Sequence, residues 1–159
     1  MPPPGYNASK EKYPVLYLLH GGGGDEEAWP TLGVAPTILD NLINSGKAKP
    51  MIVVMTNGNP SQAAALTVTP PIKAEQNIQG MASMLFEKSL VNDVIPYIES
   101  NFSVKKNKES RAVTGLSMGG LQTQNLSFEN PNMFNYIGVT RMTMRSIGNP
   151  EVCCLKGFG

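Results

Sequence analysis

The pentapeptide Gly115-Leu116-Ser117-Met118-Gly119 lies between a strand-like run, residues 111–114, and a helical run that begins near Gly119. Gly-x-Ser-x-Gly in this context is typical of a nucleophile elbow, a sharp turn that lifts the serine hydroxyl above the edge of a sheet. The turn is so tight that side chains at Gly115 and Gly119 would collide with neighbouring backbone. The sequence therefore predicts a nucleophile, Ser117, at a helix N-terminus where backbone N–H groups stabilise an oxyanion.

Short apolar runs alternate with helical patterns along the chain. The strand-like runs lie near residues 15–19, 51–56, 111–116 and 136–139. The helical patterns lie at residues 36–46, at residues 84–102 with an interruption at Pro96, and from the elbow to about Glu129. Apolar strands that alternate with helices are typical of a parallel sheet covered on both faces. The sequence therefore predicts an α/β fold in which these four strands run parallel.

A second glycine-rich stretch, His20-Gly21-Gly22-Gly23-Gly24, follows the first predicted strand. Working groups gather at the carboxyl ends of parallel strands, where this stretch, residues 57–59 and Ser117 all fall. Its glycines suit the oxyanion loop of an esterase, which passes close to the bound acyl group. A flexible turn is the plain alternative, and a phosphate-binding loop is disfavoured because the Lys-Ser/Thr ending is absent. We favour the oxyanion loop because the elbow shares the same edge.

The single histidine of the sequence, His20, lies far upstream of Ser117. Serine hydrolases with this elbow take their general base from a histidine that follows the serine, and none follows Ser117. His20 also precedes the glycine run. We therefore expect His20, with Gly21, to support the loop, and we keep a general base as the alternative role for His20.

One aromatic residue and three methionines remain near these motifs. Trp29 either lines an acyl pocket or caps the core, and the sequence does not separate the two roles. Met81, Met84 and Met118 are interpreted as packing residues, although Met118 would also contribute its backbone N–H to the oxyanion hole.

Composition narrows the class of protein. A chain of 159 residues with 41% hydrophobic residues fits one domain with its own core, and no internal repeat or linker divides it. The net charge of +1 and the absence of a basic stripe argue against nucleic acid as a partner. No apolar run approaches the roughly 20 residues that span a bilayer, and residues 1–6 lack the apolar region of a signal peptide. Adjacent Cys153 and Cys154 imply neither a disulfide framework nor a metal site, so we expect no metal and no cofactor.

Two stretches lack a periodic pattern. Residues 57–83 form a long polar stretch, which is uncommon unless it is functional or disordered. Residues 140–159 carry no strand or helix pattern, so we expect the domain to span residues 1–139 and the remainder to be a tail.

Several segments together resemble carbohydrate esterase family 1, the feruloyl and acetylxylan esterases. They are residues 3–6, 13–22, 51–59, 86–96 and 115–120, together with Trp29. The resemblance covers residues 3 to 139. Within the family, the chain is similar in particular to the esterase modules found beside bacterial xylanases. The resemblance implies an α/β-hydrolase that cleaves hydroxycinnamoyl or acetyl esters from plant xylan, secreted or periplasmic in a bacterium. It also implies that Ser117 is the nucleophile and that Gly22 and Met118 supply the oxyanion-hole N–H groups.

The chain departs from the family pattern at both ends. The family's sheet starts with strands upstream of Pro2, and its acid and histidine lie on loops after later strands, which are absent from this sequence. The resemblance therefore predicts a partial α/β-hydrolase domain, truncated and weakly active or inactive, that self-associates through exposed sheet edges. The alternatives are a non-catalytic fragment or binding remnant, and an acyltransferase of the same fold.

Overall fold

The computed structural model describes residues 1–6, 10–59 and 84–140. Four strands form one sheet there: β1 (Val15–Leu19), β2 (Ile52–Val54), β3 (Arg111–Leu116) and β4 (Tyr136–Thr140). The long polar stretch from residue 60 to 83, including Met81, and the tail from residue 141, including Cys153 and Cys154, lie outside the described residues.

The sheet is parallel throughout, with the spatial order β2-β1-β3-β4. Val15 at the start of β1 pairs with Ile52 on one side and with Arg111 on the other. The prediction of four parallel strands is confirmed. β2 ends at Val54, before the predicted end, because the chain leaves the β1 register after that residue, and β4 continues one residue further, to Thr140.

Helices cover both faces of the sheet, as predicted. Side chains alternate along a strand, so Val15, Tyr17 and Leu19 of β1 enter one core and Leu18 enters the other. The α-helices of the described residues are α1 (Ala35–Asn44), α2 (Leu85–Ser89), α3 (Ile95–Asn101) and α4 (Met118–Glu129). Within the larger core, Leu90 and Leu126 are fully buried, and burial of such a side chain contributes about 1.5–3 kcal/mol.

The helical segment before β3 contains a π-helical turn. Residues Leu90–Val94 join α2 to α3, and the Ile95 N–H donates to the Leu90 carbonyl, five residues back. Pro96 lies in the first turn of α3 and has no N–H to donate. The wider turn accommodates the proline ring, so the predicted interruption is a local change of helix type rather than a break.

Helix α1 begins just after Val34, whose backbone is left-handed. Of its apolar residues, Ala35 is buried and Leu39 packs against the smaller core, whereas Ile38 is half exposed. Among the described residues, no helix is both long enough and apolar enough to cross a membrane.

Candidate active site

The turn between β3 and α4 holds Ser117 in a strained conformation. Its backbone angles, φ 53° and ψ −107°, lie outside the regions that residues with a side chain favour, and such strain costs about 1–3 kcal/mol. A Cβ on Gly115 would lie 2.2 Å from the Gly119 carbonyl oxygen, and one on Gly119 would lie 2.6 Å from the His20 carbonyl oxygen. Only glycine fits at either position, and Ser117 between them is exposed.

The glycine-rich loop after β1 lies beside this turn. The Gly119 N–H donates to the His20 carbonyl at 3.1 Å. A Cβ built on Gly21 would lie 3.7 Å from the Ser117 Cβ. The structure thus brings together the two motifs that the sequence places at the same edge of the sheet.

Two backbone N–H groups near Ser117 have no acceptor. Within residues 1–6, 10–59 and 84–140, neither the Gly22 nor the Met118 N–H donates a hydrogen bond. Met118 is buried and opens α4, whereas a Cβ on Gly22 would meet no atom within 4 Å. Both groups are therefore free to donate to a ligand, and their convergence on one point stays a prediction.

His20 is buried, with 2% of its surface exposed, and both of its ring nitrogens are engaged. The Gly58 N–H donates to Nε2 at 2.8 Å, so Nε2 carries a lone pair. The proton of the neutral ring is then on Nδ1, which donates to the Gly21 carbonyl at 2.7 Å. A ring held in this way ties the glycine-rich loop to the loop after β2 and has no nitrogen left for Ser117.

The loop after β2 and helix α4 complete this arrangement. The Asn59 side-chain amide donates to the Gly24 carbonyl at 2.9 Å, and the Gln122 side-chain amide donates to the Gly58 carbonyl at 2.7 Å. The sequence analysis missed Gln122. No local signal in the sequence distinguishes it from Gln124 and Asn125, the neighbouring amide residues of α4.

A cavity of ≈ 400 Å³ opens beside the glycine-rich loop. Its walls are that loop, the π-helical turn Ala28–Leu32 and Leu116, the residue before Ser117. Trp29 lines the cavity and also packs against the smaller core, with its indole N–H buried. A Cβ on Gly33 would lie 2.6 Å from the Trp29 ring, so a glycine is needed there for the ring to keep its position.

The described residues contain no group of three or more His, Cys, Asp or Glu side chains close enough to hold a metal ion.

Of the three methionines interpreted as packing residues, Met118 is buried and Met84 is half-buried next to α2.

A parallel sheet with a strained Gly-x-Ser-x-Gly turn between strand and helix defines the α/β-hydrolase class. The described residues form a four-stranded part of such a sheet. The chain belongs to the Esterase family, whose model matches residues 1–141. Within it, the chain resembles the family 1 carbohydrate esterases, as the relatives below illustrate.

Curated relatives include an endo-1,4-beta-xylanase/feruloyl esterase of Xylanibacter ruminicola. It is 44% identical over 130 residues, which are 82% of this chain and 16% of that protein. An esterase of Mycobacterium tuberculosis is 32% identical over 120 residues, or 74% of this chain and 23% of that protein. The chain therefore spans less than a quarter of the length of these two relatives.

Solved structures of ferulic acid esterases superpose on the chain. One, a CE1 ferulic acid esterase of Anaeromyces mucronatus in complex with ferulic acid, is 28% identical with a TM-score of 0.69, over 86% of this chain and 48% of that one. Another ferulic acid esterase is 32% identical with a TM-score of 0.64, over 83% and 48%. The chain thus spans about half the length of each of these two solved proteins.

Proposed function

We propose that this chain carries the nucleophile and the oxyanion hole of a serine carboxylic-ester hydrolase. The observation that carries the proposal is the exposed, strained Ser117 beside two N–H groups, those of Gly22 and Met118, that donate to no described residue. Backbone donors fixed before the reaction stabilise the charge that develops on a carbonyl oxygen.

The reaction proceeds through an acyl-enzyme. The Ser117 oxygen bonds to the ester carbonyl carbon, its proton passes to a base, and the carbonyl electron pair moves onto oxygen to form a tetrahedral oxyanion. The Gly22 and Met118 N–H groups donate to that oxyanion. The carbonyl then re-forms, the alcohol leaves with a proton, and water releases the acid by the same steps.

The base is a group other than His20. His20 is the only imidazole of residues 1–159, and both its nitrogens are engaged in the loop contacts. Without a base, a serine hydroxyl is a weak nucleophile. Residues 1–159 alone are therefore expected to turn over esters slowly, with the residual advantage over water, about 10³–10⁴-fold, that an oxyanion hole and binding supply in a serine protease.

The substrate class is an ester of a hydroxycinnamic acid or of acetic acid on a plant polysaccharide. Relatives named as feruloyl esterases, one of them solved with ferulic acid and another with sinapinate, support an aromatic acyl group. The cavity of ≈ 400 Å³ is within the size range of small-molecule sites, about 300–1,000 Å³, and Trp29 offers an aromatic wall.

The test follows acylation of Ser117 rather than turnover, because deacylation also requires a base. The 159-residue chain is incubated with p-nitrophenyl acetate or p-nitrophenyl ferulate at mildly alkaline pH, and acylated peptides are quantified by mass spectrometry. We expect Ser117 to acylate much faster than other serines. Ser117→Ala should abolish this fast acylation, and Ser100→Ala, at an exposed helical serine, should leave it intact.

The alternatives give different results. Equal acylation of Ser117 and Ser100 would overturn the esterase proposal in favour of a chain that only binds. Loss of the fast acylation in His20→Ala, together with robust turnover in the wild-type chain, would make His20 the base. Transfer of the acyl group to an added alcohol in preference to water would indicate an acyltransferase.

A further inference from the structure

We propose that Gln122 is a positioning residue for the oxyanion hole, which acts on the Gly22 N–H through Gly58 and His20. This proposal rests on the proposed function, in which the Gly22 N–H stabilises the oxyanion. Gln122 does not touch the reacting atoms. Its influence passes through three hydrogen bonds that begin on the nucleophile's own helix, α4.

The three hydrogen bonds run in series. The Gln122 Nε2–H donates to the Gly58 carbonyl at 2.7 Å. The Gly58 N–H donates to His20 Nε2 at 2.8 Å. His20 Nδ1–H donates to the Gly21 carbonyl at 2.7 Å, and that carbonyl also accepts the Gly24 N–H at 3.2 Å.

The last acceptor and the catalytic donor belong to one peptide group. The Gly21 carbonyl and the Gly22 N–H share a planar peptide, so the direction of the carbonyl fixes the direction of the N–H. A hydrogen bond accepted by the carbonyl also polarises the peptide and strengthens its N–H as a donor. His20 therefore sets both the orientation and the strength of the Gly22 donor.

Sterics alone do not hold this peptide in place. Gly21 and Gly22 have no side chains, and a Cβ on Gly22 would meet no atom within 4 Å. Gly21 lies near the elbow, where a Cβ would be 3.5 Å from the Leu116 carbonyl oxygen, but the Gly22 side is open. Glycine populates many backbone conformations, so hydrogen bonds are the main restraint on rotation of this peptide.

The donor on His20 Nδ1 depends on the tautomer of the ring. With Nε2 occupied by the Gly58 N–H, the proton stays on Nδ1. In the other tautomer, the Nδ1 lone pair would face the Gly21 carbonyl oxygen and repel it. Gly58 therefore selects the productive tautomer, and Gln122 holds Gly58 in place.

Gln122 carries an unfavourable feature that packing does not explain. It is 4% exposed, and its Oε1 has no hydrogen-bond partner among the described residues. A Cβ on Gly58 would lie 2.9 Å from that same oxygen, so the two residues are tightly apposed. An apolar side chain would avoid the unpaired oxygen, but it could not donate to the Gly58 carbonyl.

The experiment reads the His20 ring and the Gly22 amide directly by NMR. Because the chain has one histidine, its ring nitrogens give a single, unambiguous set of ¹⁵N signals. Gln122→Met keeps the length of the side chain and removes the donor. Gln124→Met is the matched control, the same change two residues on, at a half-buried position outside the hydrogen-bond series.

We expect the wild-type ring to be protonated on Nδ1 alone. Gln122→Met should produce a mixture of tautomers, shift the Gly22 amide signal and slow Ser117 acylation about tenfold, less than the 10²–10³-fold loss of a whole oxyanion donor. Gln124→Met should change none of the three. Gly58→Ala, which displaces Gln122 from the other side, should reproduce the Gln122→Met effects and serves if Gln122→Met does not fold.

An unchanged His20 ring and Gly22 amide in the folded variants would overturn the proposal, whatever the activity. Altered NMR signals with wild-type acylation of Ser117 would also overturn it, because the link would not serve the reaction. Failure of the proposed function is distinguishable, because it shows as absent Ser117 acylation in the wild-type chain itself.

Discussion

Ser117 and its flanking glycines show how one residue's conformation is imposed by its neighbours. Gly115 and Gly119 admit backbone atoms at distances that a Cβ would forbid, and Ser117 between them has a positive φ. The serine therefore sits on a strained turn, and in the proposed reaction its fixed position keeps the entropy cost of aligning the hydroxyl with an ester low.

The oxyanion donor that we propose for the glycine-rich loop, the Gly22 N–H, can be removed by a single change. Gly22→Pro eliminates the N–H and should slow Ser117 acylation about 10²–10³-fold, the loss typical of one oxyanion-hole donor. Gly22→Ala retains the N–H, and its Cβ has free space, so it should lose far less. Acylation is measured by mass spectrometry, and equal rates in the two variants would exclude Gly22 as a donor.

Tyr17 is a buried residue whose hydroxyl has no hydrogen-bond partner among the described residues. Removal of an unpaired buried hydroxyl relieves a desolvation cost, so Tyr17→Phe should raise the free energy of unfolding by about 1 kcal/mol. The edge-to-face contact with Phe134 is retained. Urea unfolding tests this, with Tyr97→Phe at an exposed tyrosine as the control. A loss of stability in Tyr17→Phe would show that the hydroxyl has a partner.

The same hydroxyl predicts a dependence on alkaline pH. Burial, and to a lesser degree the Glu99 carboxylate, raises the pKa of Tyr17, and the Arg111 guanidinium offsets part of this. Above about pH 10 the unfolded chain releases this proton and the folded chain keeps it. The free energy of unfolding therefore falls as pH rises through this range. Tyr17→Phe should therefore lose less stability than the wild type above pH 10. Parallel stability curves for the two proteins would contradict the raised pKa.

At the scale of elements, one arginine joins three segments at the start of β3. Arg111 forms an ion pair with Glu99 of α3 at 2.6 Å and donates to the carbonyls of Lys106 and Met133. Arg111→Met leaves Glu99 and both carbonyls without this donor and should destabilise the fold by about 3 kcal/mol. Urea unfolding measures the loss. Glu99→Gln keeps a hydrogen-bond acceptor for Arg111 and should lower the free energy of unfolding by less. An equal loss in the two variants would show that the charge of the pair, rather than its hydrogen bonds, stabilises the fold.

How far these elements follow from the sequence depends on whether their cause is local. The elbow was predictable because Gly115, Ser117 and Gly119 form a short, recognisable motif, although Gly119 is also required by its contact with the distant His20 carbonyl. The π-helical turn before α3 was only partly predictable: Pro96 indicates an irregularity in the helix, but the sequence does not specify which type of turn accommodates it. Gln122 gave no local signal, because its partner, Gly58, is distant in sequence and meets it only after the sheet has formed.

At the scale of the whole molecule, the described sheet has a free outer edge at β4, the last strand in its order. Ile137 and Val139 on this strand are both more than two-fifths exposed. An apolar edge strand is a template for pairing with another chain. We expect the 159-residue chain to self-associate at high concentration, as measured by size-exclusion chromatography with light scattering.

A charge on that edge should oppose the association. Ile137→Lys should shift the population toward monomer, whereas Ile38→Lys, at an equally exposed apolar residue on α1, should not. A sharp monomer peak from the wild-type chain at high concentration would refute association through β4.

The position of β1 between β2 and β3 has a consequence for how the chain folds. Val15 pairs with Arg111, so about 100 further residues must be synthesised after β1 before this central strand has both neighbours. Long-range pairings of this kind form slowly, because the chain between the two strands loses conformational entropy before the stabilising contacts form. The glycine-rich loop follows β1 and Ser117 follows β3, so neither is in place until that pairing is complete. We therefore expect the hydroxyl and the loop beside it to be among the last features to reach their native positions, so the proposed acylation of Ser117 would report on completed folding.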